Sequence, residues 1–149
     1  MKKTLIISSF FLVIGIILGT KVYTATTSIE NTFSQGEIYY FLQEGVYSSK
    51  DIMEENTINI NTKLVENNDN KYYVYLGITK NTNNAKKIKK IYTDKGYDVY
   101  IKEQKLANEE FSSNVTQFDL LIDSTDDNEE ILKITEVVFA NYEEIVKNQ

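Results

Sequence analysis

The groups that could do chemistry in this chain are few in kind. It has no histidine, cysteine, proline or tryptophan, and all sixteen of its basic residues are lysine. Without imidazole or thiol there is no Ser-His-Asp or Cys-His site and no thiolate or imidazole zinc site, and histidine-based acid–base catalysis is excluded. Twenty-two carboxylates remain. A pair of them could hydrolyse glycosides, but they lie in solvated runs, and no pair stands in an apolar setting that would raise a pKa. The sequence therefore reads as non-enzymatic, with no catalytic residue, no cofactor and no metal. What remains is recognition chemistry: eleven tyrosines, the amide of Gln43, and lysines beside them. Tyrosine rings offer apolar faces, and a glutamine amide both donates and accepts hydrogen bonds.

Those residues need elements to hold them. Tyr72-Tyr73-Val74-Tyr75-Leu76-Gly77 reads as a strand, with Val74, Leu76 and Ile78 on one face and Tyr73, Tyr75 and Gly77 on the other. Asn81 or Thr82 can cap a following helix, in which Ala85, Ile88, Ile91 and Tyr92 recur at spacings of three and four and lysines cover the solvent side. Gly96 ends it, and Tyr97 to Glu103 is a further strand. Upstream, Glu37 to Tyr47 is an aromatic-rich strand interrupted at Gly45. Lys50 to Asn56 is a short helix, and part of Ile58 to Val65 is a strand closed by a turn over Glu66-Asn67-Asn68-Asp69-Asn70. The order is strand, helix, strand, strand, helix, strand. It predicts an α+β, ferredoxin-like βαββαβ sandwich with an antiparallel sheet. One sheet face is expected to be open and to carry Gln43, Tyr73, Tyr75 and Tyr39 or Phe41, unless the C-terminal segment covers it.

The flanks differ in character. Met1-Lys2-Lys3 precedes Thr4 to Thr20, seventeen residues without formal charge, closed by Lys21. That is the lower limit for a spanning helix, and the leading lysines place the N-terminus in the cytoplasm. A cleaved signal peptide shares this form, but the small residues it needs are poorly placed: Tyr23 stands two positions before Ala25, and Ile17 before Gly19. The expected organisation is a cytoplasmic start and transmembrane anchor over 1–24, a linker over 25–36, a folded domain over 37–105 and a C-terminal helical extension over 106–149. The linker reaches ~40 Å at most. Localisation at the cell membrane, single-pass, with an extracytoplasmic C-terminal domain follows. After residue 24 the chain carries thirteen lysines against twenty-two carboxylates. That balance opposes nucleic acid or anionic lipid surfaces as partners.

In the extension, Phe111, Val115, Phe118 and Ile122 form one helical stripe, and Ile131, Ile134, Val138, Tyr142 and Ile145 a second. The break between them favours a C-terminal helix pair. The stripes can pack on the domain, on a second copy as a homodimer, or on an envelope protein partner. Asn114-Val115-Thr116 matches a glycosylation acceptor by chance.

Two stretches carry a family resemblance. Tyr40-Phe41-Leu42-Gln43-Glu44-Gly45-Val46-Tyr47 keeps the Gln, the Gly and the closing aromatic of one half-motif. Tyr73-Val74-Tyr75-Leu76-Gly77, Asn84-Ala85 and Lys95-Gly96-Tyr97-Asp98-Val99-Tyr100-Ile101 follow the other. Over about residues 38 to 105 the chain resembles the SPOR domain, the sporulation-related repeat of bacterial envelope proteins. Glu44 departs from it, standing where the family prefers an apolar residue, and the helix from Lys50 is short. The resemblance implies non-enzymatic binding of peptidoglycan glycan strands stripped of stem peptides, in division or sporulation, on the open sheet face. Carried over, the contacts are Gln43, Val46, Tyr73 and Tyr75, with Lys71 a weaker match. The alternative is an extracytoplasmic protein-interaction module of a division or sporulation complex that does not bind glycan. An open aromatic face would favour the first reading, and a face covered by residues 106–149 the second.

Overall fold

The structure is a computed structural model and describes residues 36–147. The expected anchor, and all of the linker before Gly36, lie outside the described residues. Among the described residues no helix is long and apolar enough to cross a membrane.

Eight elements follow in order: β1 (Glu37–Tyr47), α1 (Lys50–Asn56), β2 (Leu64–Asn68), β3 (Lys71–Thr79), α2 (Thr82–Thr93), β4 (Tyr100–Leu106), α3 (Glu109–Asp123) and α4 (Asn128–Tyr142), with a last π-helical turn over Glu143–Lys147. The strands form one antiparallel sheet in the order β2-β3-β1-β4. Up to β4 the chain therefore has the expected α+β element order and an antiparallel four-stranded sheet.

Local chemistry explains the joints. The β2–β3 turn is tighter than expected. Asp69 and Asn70, the two residues of the turn, take positive φ, 50° and 57°, the pattern of a two-residue I′ hairpin in which Asn and Asp are favoured. Glu66, Asn67 and Asn68 stay in the ladder, opposite Tyr73, Tyr72 and Lys71. Asn81 caps α2, its side chain accepting from the backbone N–H of Asn83 and Asn84. The buried stripe on α2 includes the expected Ala85, Ile88, Ile91 and Tyr92. A Cβ on Gly77 would sit 3.1 Å from Ile88 Cγ2 and 3.2 Å from Leu42 Cδ1, so the missing side chain lets α2 approach the sheet closely. The last strand starts three residues later than expected. Tyr97 instead packs edge-on against Tyr92, ring centroids 6.4 Å apart, and Tyr100 is the first residue of β4.

The main departure is on the opposite face of the sheet. Phe111 of α3 stacks on Tyr39 with centroids 5.4 Å apart, and Tyr142 of α4 meets Phe41 at 5.7 Å and Phe111 at 5.5 Å. Tyr39, Phe41 and Phe111 are wholly buried. The two C-terminal stripes are spent here, and the domain has three layers: α2 on one side, the sheet, and the α3–α4 pair on the other. A polar clasp fixes the pair. The Asp119 carboxylate accepts from the Thr79 hydroxyl, from the Lys80 backbone N–H at 2.9 Å and from the Asn84 amide at 3.2 Å. Lys87, expected to face solvent, reaches the carbonyls of Ile122, Asp123 and Thr125 at the end of α3 and the Asp126 carboxylate at 3.1 Å, where a cation is favoured by the helix dipole. Asn114 is buried and donates to Asn141 Oδ1 at 3.1 Å, so the acceptor-like triplet is a packing residue.

Candidate functional site

Strand register decides which side chains share a face. β1 and β3 pair regularly from Tyr40↔Thr79 to Leu42↔Gly77, then slip, so that Gln43 faces Tyr75, and slip again to give Gly45↔Val74 and Val46↔Tyr73. Cross-strand partners lie on one face of a sheet. The first slip takes Tyr75 off the Gly77 face, which belongs to α2, and puts it with Gln43 and Phe41 on the face of α3 and α4. The simple alternation expected from the sequence, with Tyr73, Tyr75 and Gly77 together, is broken by a bulge that periodicity does not reveal.

The five residues named from the sequence, Gln43, Val46, Tyr73, Tyr75 and Lys71, do share that face, at the end of the sheet beyond Tyr142. Gln43 is half-buried, and its side-chain amide makes no hydrogen bond to any described residue. Val46 is 42% exposed. Tyr73 is half-buried between Val46 and Glu66 in the cross-strand row, and Lys71 is exposed beside the hairpin turn. Tyr75 does not belong with them as a contact. It is buried, meets Phe41 edge-on with centroids 5.3 Å apart, and accepts a long hydrogen bond from Gln104 Nε2 at 3.4 Å. Burial pushes its phenol above the ordinary value near 10. The expectation of an open face carrying Tyr75 and either Tyr39 or Phe41 is thus corrected in favour of the stated alternative, a face covered by the C-terminal segment: α3 and α4 close it over all three rings.

A residue not named from the sequence completes the open part. Tyr100 pairs with Gln43 across β1–β4 and is 58% exposed. Tyr75, Gln43 and Tyr100 form one cross-strand row over β3, β1 and β4, spanning two inter-strand spacings, roughly 10 Å. Only the register of β4 could have revealed Tyr100, and that register depends on the three-residue offset in where the strand begins.

Glu44, the departure from the family pattern, has its own role. Its carboxylate accepts from the Tyr47 hydroxyl at 2.8 and 2.9 Å. Desolvation, then this hydrogen bond, pushes the Tyr47 phenol up to about 12. Tyr47 folds back over Gly45 to get there: a Cβ on Gly45 would lie 2.9 Å from the Tyr47 ring. The Gln-Glu-Gly run is therefore a bulge in which Gly45 makes room and Glu44 locks the ring, leaving Gln43 presented at its edge.

The solution structure of the peptidoglycan binding domain of the B. subtilis cell wall lytic enzyme CwlC is similar to this chain at 22% sequence identity and a TM-score of 0.39, covering 52% of this chain and 100% of that one. No family model matches the chain, and no curated protein matches it.

Proposed function

We propose that this chain is a non-catalytic binder of peptidoglycan glycan strands, a SPOR-like domain carried outside the cell membrane on its N-terminal segment and serving division or sporulation. Gln43 carries the reading. Its amide is half-buried yet unengaged by the described protein, between Tyr75 and the exposed Tyr100 and one row from Val46 and Tyr73. An amide in that setting can meet the hydroxyls and acetamides of a glycan, while Tyr100 and Tyr73 take the apolar faces of its rings. Lys71 at the end of the strip supports the same contact weakly. Tyr75 serves the site from beneath, as a packing residue. Co-sedimentation of the full-length chain in detergent with amidase-treated sacculi tests the reading: enrichment on stripped wall over untreated wall is expected, and equal recovery from both opposes it.

The second reading, an interaction module for another envelope protein, is favoured by the closure of Tyr39, Phe41 and Tyr75 under α3 and α4. On that reading Gln43→Ala leaves wall binding unaltered, and a protein cross-link replaces it.

A further inference from the structure

The sheet ends in two edges that are treated differently. On the β2 side the edge strand has five residues, and Lys147 from the last turn donates to its Val65 carbonyl at 3.3 Å. On the other side β4 runs for seven residues, Tyr100–Leu106, and pairs with β1 along its inner side. Among the described residues no hydrogen bond reaches its outer backbone groups. An open edge of this length is a template for one more strand.

Side-chain alternation along β4 decides which strand fits. Lys102, Gln104 and Leu106 stand on the face of α3 and α4, opposite Phe41, Tyr39 and Glu37. Glu103 and Lys105 stand on the face of α2, opposite Tyr40 and Ile38. Glu103, Lys102 and Lys105 are exposed, and none of them has an ion pair among the described residues. A partner strand of one sign leaves Glu103 or Lys105 facing its like. A strand that offers Lys and Glu in reverse order answers both, and an antiparallel second copy of β4 is such a strand. Opposite residues share a face, so a two-fold pairing must be centred on a residue. Centres at Lys102, Glu103 or Lys105 bring two like charges face to face. Centred on Gln104, Glu103 of each copy stands opposite Lys105 of the other, and the lysine stem of Lys102 lies along Leu106.

We infer that two copies of this chain pair through their β4 edges, antiparallel and centred on Gln104, into one eight-stranded sheet. The contact is isologous, and the two-fold axis repeats the Glu103–Lys105 pair. The axis is perpendicular to the sheet, so both strips around Gln43 face the same way. Tyr100 begins β4 but lies two residues outside the paired segment Lys102–Leu106, and each strip stays open. The two Tyr100 rings then stand on either side of the axis, roughly 27 Å apart along the strands. Resting on the glycan reading, this spacing lets one glycan chain engage both strips, which raises the apparent affinity without a new contact.

The test measures the mass of the full-length chain in detergent by sedimentation over a concentration series, with no glycan present. A monomer–dimer equilibrium is expected, with hydrogen exchange in 102–106 slowing as the dimer forms. Glu103→Lys and Lys105→Glu should each weaken dimerisation by about tenfold or more, because both cross-strand pairs become repulsive. The double variant restores opposite signs and should recover the dimer. An equimolar mixture of the two single variants should do the same, because each copy then faces its complement. The inference is overturned by a monomer at every concentration, or by failure of both the double variant and the mixture to recover. Equal dimerisation in the wild type and both single variants overturns it too, by placing the contact on the N-terminal segment or another surface. So does exchange in 102–106 that is already slow in the monomer, which would show the edge covered by this chain itself. Dimerisation as described without any binding of stripped glycan supports the inference and removes only the glycan reading.

Discussion

Tyr142, fifteen residues into the last helix, sets its ring edge against Phe41 in the first strand, with centroids 5.7 Å apart. This contact joins the end of the chain to the middle of the sheet, and it makes the C-terminal helices part of the core. Tyr142→Ala removes the contacts to both Phe41 and Phe111. It should cost about 3–5 kcal/mol in urea unfolding, the usual range for truncating a large buried ring. A loss below about 1 kcal/mol would mean that α3 and α4 are an accessory that the sheet does without.

The same reasoning separates two tyrosines of the site. Tyr75→Ala should lose roughly 3 kcal/mol or more of stability, because the side chain is buried against Phe41. Tyr100→Ala should change stability by no more than about 0.5 kcal/mol, because the ring is exposed. Thermal melts of the two variants beside the wild type give the comparison directly. Equal melts would place both rings in the same environment, which the register does not allow.

The Asp119 clasp makes a third prediction. Asp119→Ala leaves the Lys80 N–H without its acceptor, the Thr79 hydroxyl with only the Asn81 carbonyl at 3.3 Å, and the Asn84 amide with only the main-chain carbonyl of residue 119 at the α3–sheet joint. A cost of about 2–4 kcal/mol is expected, more than one unsatisfied group would give. Asp119→Asn keeps an acceptor and should recover part of it. Equal losses in the two variants would show that size, not hydrogen bonding, is what Asp119 supplies.

Alkaline stability follows from the tyrosines. Tyr47 is pushed up to about 12 by burial and by Glu44, and burial raises Tyr39, Tyr75, Tyr92 and Tyr142 as well. A folded-state value above the unfolded one means that the neutral phenol is the form the fold holds. The stabilisation is therefore complete below pH 10, the ordinary tyrosine value, and is lost as pH rises through 10 towards 12 and beyond. The part of the tyrosinate absorbance that belongs to these five rings should rise together with the loss of circular dichroism, in one cooperative step above pH 10. A smooth absorbance titration complete before the fold is lost would contradict the burial of these rings.

Much of this molecule was legible in the sequence, for identifiable reasons. The α2 stripe and the two C-terminal stripes are long periodic signals, and Ala85, Ile88, Ile91, Phe111, Val115, Ile122, Ile131, Ile134 and Val138 are all buried as spaced. What was missed depends on register. The bulges around Gln43 shift which tyrosines share a face, and neither hydropathy nor turn chemistry marks them beyond Gly45. The late start of β4 hid Tyr100 in the same way. The destination of the C-terminal stripes was left open between the domain, a second copy and an envelope partner: amphipathic spacing states that a face must be covered, and packing on the domain is the option the structure shows. Glu44 looked like a flaw in a motif and is the hydrogen-bond acceptor that holds Tyr47 over the bulge.

The most direct test of glycan binding is the dissociation constant for stripped glycan strands, measured with the full-length wild type, Gln43→Ala and Tyr100→Ala, alongside their melting temperatures. The expected result is binding by the wild type, a loss of about tenfold or more in each variant, equivalent to about 1.4 kcal/mol, and melting temperatures that hardly move. Unchanged affinity in both variants, or no wild-type affinity for stripped strands, would contradict the claim that the strip around Gln43 is a glycan-binding surface.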